Sequence, residues 1–153
     1  MIVVDSSVIA YCWINGDRTA LAHRLRKIDP DWHAPVLWRS ELRNILTGYR
    51  RDESLDESQV RQIMAAAEAA LAGREHYVPS DRVFTVAEAR RLSAYDAEFV
   101  VLAEVLGVPL VTEDQAVLAA FARALTVEDA VESLHILHDS IPWPGPTPFP
   151  LTA

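Results

Sequence analysis

The 153-residue chain holds one cysteine, Cys12, so no internal disulfide can staple it. A reducing cytoplasm is therefore the expected setting. None of its five glycines builds a G-x-G-x-x-G run after an apolar strand, which removes the usual dinucleotide-binding loop. Lys27 is the only lysine, and D-S-S stands after the first apolar run where a phosphatase would want D-x-D. Phosphotransfer receivers and related phosphatases fit that pattern poorly. No uncharged apolar run approaches the roughly 20 residues of a membrane helix. The start, MIVVDSSVIAYCW, meets Asp5 with no basic leader, so neither an anchor nor a signal peptide is expected. Basic charge is scarce as well. The formal net charge of −8 argues against a protein that coats nucleic acid, though not against an enzyme that holds it through a local basic face.

What is present suits one soluble domain, with half of the residues apolar and about a quarter charged. Ile2–Val4 reads as a strand and 7–14 as a helix. A helix over 19–27 follows, then a strand over 32–34. Pro35 suits the first turn of the next helix, with Trp38, Leu42, Ile45 and Tyr49 at helical spacing. The spacing predicts a helix over 56–72 stopped by Gly73, with Met64 as filler and small alanines for close packing. A strand over 82–85 and a short helix over 86–92 come next. Beyond them stand a helix over 97–106 closed by Gly107 and Pro109, a strand at 110–111, a helix over 115–125, a strand near 125–127 and a last helix in EDAVESL. Short apolar strands alternating with amphipathic helices mean an α/β domain with a mostly parallel sheet.

Four carboxylates stand out. Asp5 ends the first strand, the address at which open parallel sheets bind ligands, although Asp5, Ser6 or Ser7 could equally cap the next helix. Glu41 sits on the shoulder of an apolar stripe and must be exposed, paired or bound to a cation. Arg39 or Arg43 could pair with it, and Asn44, one turn on, could steady it. Asp96 closes S-A-Y-D, a capping-box pattern, and Thr112 opens the similar T-E-D-Q that holds Asp114. Taken singly, Asp5, Asp96 and Asp114 are explained by capping, and Glu41 by a salt bridge. Jointly, Asp5 and Asp114 follow two apolar strands at one end of the sheet, and Asp96 opens the helix leading into the second. Anions so gathered repel unless protonated or bridged by a hard divalent cation, Mg²⁺ or Mn²⁺.

Asp5-Ser6-Ser7 after an initial strand, Glu41 within SELRNIL, SAYDAEFVVLA with Asp96 and LVTED with Asp114 together resemble the PIN domain. They are most similar to the toxin ribonucleases of VapBC-type toxin–antitoxin pairs, over residues 1 to about 135. The resemblance implies an α/β/α sandwich with a central, mostly parallel sheet, and an acidic pocket holding Mg²⁺ or Mn²⁺ that cleaves RNA. It implies Asp5, Glu41, Asp96 and Asp114 as metal-binding catalytic residues, with Ser7 and Thr112 as supporting hydroxyls. It also implies a small cognate antitoxin and a homodimer. The nuclease domain is expected over 1–138. The Pro-rich 139–153, which includes PWPGPTPFP, departs from the family and reads as an extended tail.

RNA must be held despite the acidic total. Arg39, Arg43 and Arg50 share a helical stripe near Glu41 and are the candidate phosphate contacts, with Arg90 and Arg91 as a second cluster. A solvated outer face with local ion pairs is the plainer reading of both. His135 and His138 read as a surface pair and Cys12 as packing. The rival function is a catalytically silent PIN-like scaffold that only binds, against which four intact acids speak.

Overall fold

The computed structural model describes residues 1–135. The proline-rich tail, the boundary after 138 and His138 lie outside the described residues. In chain order the elements are β1 Ile2–Val4, α1 Ser6–Trp13, α2 Thr19–Ile28, β2 Trp32–Pro35, α3 Trp38–Arg51, α4 Glu57–Leu71, β3 Glu75–His76, α5 Ser80–Arg90, α6 Ala94–Leu106, β4 Leu110–Val111, α7 Gln115–Ala120, β5 Ala124–Leu125 and α8 Val127–His135.

All strand pairings are parallel and the order is β3-β2-β1-β4-β5. Register sets Val3 of β1 beside both His33 of β2 and Leu110 of β4. Every residue of β1 and β4 is buried, as strands covered on both faces require, so they read as unbroken apolar runs without alternation. Crossovers between parallel strands are right-handed. The helices of the β1–β2–β3 run therefore cover one face, and those of the β3–β4 return cover the other. In keeping with this, α1 packs on α2 and α3, α3 packs on α4, and α6 lies against β1, β2 and β4 with α5 beside it. The result is the expected α/β/α sandwich. Trp13, Trp32 and Trp38 are its largest fully buried side chains. No described helix is long and apolar enough to cross a membrane.

Several boundaries differ from expectation. The 82–85 strand is helical instead, inside α5, where Val83 and Val86 are the buried positions three residues apart. A short apolar run cannot be typed by periodicity alone, and Pro79 and Ser80 before it start a helix. Pro35 closes β2 rather than opening a helix, and α3 begins at Trp38. The helix after Asp114 stops at Ala120, not Leu125, because Phe121 is extended and leads into β5. β3 is absent from the sequence reading: its two residues are half-buried and polar, and they join the sheet only by register with Ala34 and Pro35.

Candidate active site

The strand order turns back on itself between β1 and β4. That crevice, at the carboxyl ends of the two strands, is where an open α/β sheet accepts a ligand. Asp5 follows β1 directly, and Thr112, Glu113 and Asp114 follow β4 directly. The Asp5 N–H is bound to the Val111 carbonyl at 3.1 Å, so the two strand ends are fastened together. Asp5 is also the N-cap of α1, its Oδ1 accepting the Val8 N–H at 2.8 Å. Its Oδ2 accepts the Thr112 hydroxyl at 2.5 Å. The same Thr112 oxygen accepts the Asp114 N–H at 3.0 Å. Asp114, not Thr112, caps α7, its Oδ1 taking the Ala116 and Val117 N–H groups at 2.8 and 3.0 Å. Capping and clustering coexist at both places.

Glu41 reaches in from the first turn of α3, where its Oε2 accepts the Ser6 hydroxyl at 2.5 Å. Asp96 lies in the first turn of α6, its Oδ2 accepting the hydroxyl of the N-cap Ser93 at 2.6 Å. Asp5, Glu41 and Asp96 are thus each held by a hydroxyl. Glu41 Oε1, Asp96 Oδ1 and Asp114 Oδ2 make no hydrogen bond to a described residue. Among the described residues no three His, Cys, Asp or Glu side chains are drawn together as a finished metal shell.

All four acids line one cleft of about 730 Å³, together with Glu113, Ser7, Asn44, Thr112 and Tyr95. Its walls include five carboxylates and no Arg, Lys or His. The electrostatic consequence is direct. Burial raises the Asp5 carboxyl to about 6 even though Thr112, Val8 and the Glu113 backbone stabilise its anion, and Glu41 adds repulsion. Glu41 is raised too, by burial first and then by Asp96 and Glu98, against the opposing Ser6 bond. Apart from Glu113, which Arg18 meets at 3.5 Å, these hard oxygen donors have no ion pair to a cation among the described residues, a donor set whose chemistry fits Mg²⁺ or Mn²⁺.

Of the other sequence candidates, Ser7, Asn44 and Thr112 all stand in the cleft wall. Arg39 does not face an open phosphate site. Its guanidinium binds Glu68 and both Glu75 oxygens, the latter at 2.5 and 2.8 Å, and lies over the Trp38 ring. Arg43 and Arg50 are exposed. Arg90 is used structurally, donating to the Ala120 carbonyl and to Glu104 at 2.6 Å each. Cys12 is buried, its thiol pushed up to about 12 by burial. Two residues to which the sequence assigns no site role also stand here. Ser6 holds Glu41, and the only signal for it was the tandem serine. Glu113 lines the cleft and accepts the Val127 N–H at 3.0 Å, which anchors the start of α8.

No curated protein sequence matches the chain. Its fold is similar to the crystal structure of PAE2754 from Pyrobaculum aerophilum, with a TM-score of 0.70 and 25% identity over 88% of this chain and 89% of that one. Residues 2–124 match the PIN domain family, a span that contains β1, β4 and all five cleft carboxylates. The chain belongs to the PIN domain family, whose members are generally nucleases.

Proposed function

We propose that the protein is a Mg²⁺- or Mn²⁺-dependent endoribonuclease and the toxin of a VapBC-type toxin–antitoxin pair. The observation that carries the nuclease reading is the cleft at the β1/β4 switch point, with its five carboxylates and no basic side chain. Asp5, Glu41, Asp96 and Asp114 would hold the metal. Glu41, Asp96 and Asp114 each keep one oxygen free of hydrogen bonds to described residues, and Asp5 would use the lone pairs that Val8 and Thr112 leave on its two oxygens. A divalent cation in such a shell supplies a water of lowered pKa and offsets charge on a phosphodiester in hydrolysis. The chain's own part is positional. Thr112 and Val8 fix both oxygens of Asp5, Ser6 fixes the Glu41 rotamer, and the α7 cap fixes Asp114. No side chain is needed as a covalent nucleophile. Exposed Arg43 and Arg50 of α3 would be the basic groups that meet RNA phosphates.

The toxin assignment rests on the motif resemblance over SAYDAEFVVLA and LVTED. It brings with it a small antitoxin that would cover the acidic cleft, and a homodimer. A small open reading frame just upstream of the gene would support the pair. The enzymatic reading is tested by incubating the protein with several RNA classes, with and without a chelator. Cutting that depends on Mg²⁺ or Mn²⁺ is expected, and no cutting of any RNA contradicts the assignment.

A further inference from the structure

A second cavity of about 340 Å³ adjoins the acidic cleft, and Ser7 of α1 and Ile45 of α3 line both. Its far wall is built one helical turn on. Ser7 and Tyr11 stand four apart on α1, while Glu41, Ile45 and Tyr49 stand four apart in turn on α3. Side chains at that spacing share a face, and four residues advance about 6 Å. The two packed helices therefore form a groove that starts at the carboxylates and ends between two tyrosines.

Tyr11 and Tyr49 are half-buried, packed against the core at one side and open to the cavity at the other. Neither phenol makes a hydrogen bond to another described residue. Burial, with the charges of Asp5 and Glu113, raises the Tyr11 phenol, so it stays a neutral donor. At the rim Arg18 is half exposed, and its contact to Glu113 is loose, at 3.5 Å. So weak a pair exchanges readily for a phosphate. Asp17 and Asn15 complete the rim and are exposed.

We propose that this cavity is the subsite for the nucleotide next to the cleaved phosphodiester, with its base stacked on Tyr11 and Tyr49 and its outer phosphate on Arg18. The assignment deepens the ribonuclease reading and rests on it for the polarity of the groove. Aromatic faces accept any base. A base can enter the recess only if it is unpaired, so the substrate class is single-stranded RNA, in a loop or an end. A protein segment would use the same groove with less need for two aromatic faces beside a phosphodiester site.

The test is the affinity of a fluorescein-labelled single-stranded oligoribonucleotide, and of the same sequence in a duplex, with Ca²⁺ replacing Mg²⁺. Tyr11→Leu and Tyr49→Leu keep apolar bulk and should each weaken single-strand binding about tenfold. Tyr11→Phe and Tyr49→Phe should stay within about twofold of wild type, since stacking survives. Arg18→Gln should lower the slope of log affinity against log salt by about one. Thermal melts confirm that each variant folds. Unchanged affinity in both Leu variants, or a duplex bound as tightly as the single strand, overturns the subsite, whether a protein segment or nothing fills the groove. If wild type still cuts RNA in that case, the ribonuclease reading stands without the subsite. If wild type cuts no RNA yet binds single strands through the two tyrosines, the cavity stands as a single-strand binding site while the ribonuclease reading, and with it the place beside a cleaved phosphodiester, falls.

Discussion

Thr112 donates its hydroxyl to Asp5 Oδ2 at 2.5 Å across 107 residues of sequence. The Thr112 hydroxyl oxygen in turn accepts the Asp114 N–H, so one side chain couples the acid after β1 to the acid after β4. Thr112→Val keeps the shape and removes the hydroxyl. It should cost about 1–3 kcal/mol in urea denaturation, because a buried acceptor and a backbone donor lose their partner. Thr112→Ser should restore most of that stability and, with it, metal affinity. A Thr112→Val protein as stable as wild type would show the coupling to be idle.

Asp5, raised to about 6 from an ordinary 3.8, makes stability depend on pH. The folded chain holds the extra proton between those values. Its contribution is therefore fully present below about 4 and lost as pH rises through about 6, a loss of up to about 3 kcal/mol. Glu41 shifts in the same direction. A bound divalent cation favours the anions and opposes the loss. Thermal melts should thus show a larger stabilisation by Mg²⁺ at pH 7.5 than at pH 5, and Asp5→Asn should flatten both the pH profile and the Mg²⁺ effect.

Ser6 and Ser7 are neighbours with different work. Ser6 is buried and holds Glu41 at 2.5 Å, whereas Ser7 lines the cleft. Ser6→Ala should weaken Mn²⁺ binding in calorimetry about tenfold, the order expected when a carboxylate loses its orienting partner. Ser7→Ala should change it less. The reverse order would move the supporting role back to Ser7.

Arg39 separates stability from RNA binding. Its bonds to Glu68 and Glu75 join α3 to α4 and β3, so Arg39→Ala should lower stability by about 1–2 kcal/mol and leave the salt dependence of RNA binding unchanged. Replacing exposed Arg43 and Arg50 together should do the opposite, with little change in melting and a salt slope reduced by about one to two, roughly one for each phosphate no longer neutralised.

Much of this was legible in the sequence. β1 and β4 are apolar runs ending at polar residues, and parallel topology alone brings Asp5 and Asp114 to one end of the sheet. Asp96 was placed by its capping pattern, which survives in the Ser93 bonds. What escaped depends on partners far along the chain. Arg39 looked like a free stripe residue because Glu68 and Glu75 lie 29 and 36 residues away. Ser6 could not be told from Ser7 without Glu41, 35 residues on. β3 has no apolar run to announce it, and α5 carries valines that suit a strand as well as a helix.

The most direct measurement is single-turnover cleavage of a single-stranded RNA by wild type, Asp5→Asn and Asp96→Asn under the same Mg²⁺ or Mn²⁺. Wild type should cut and lose all cutting to a chelator, and both variants should fold yet fall at least about a hundredfold in rate, the scale of a lost stabilising group. Cutting at the wild-type rate by both variants would contradict the acidic cleft as the catalytic centre.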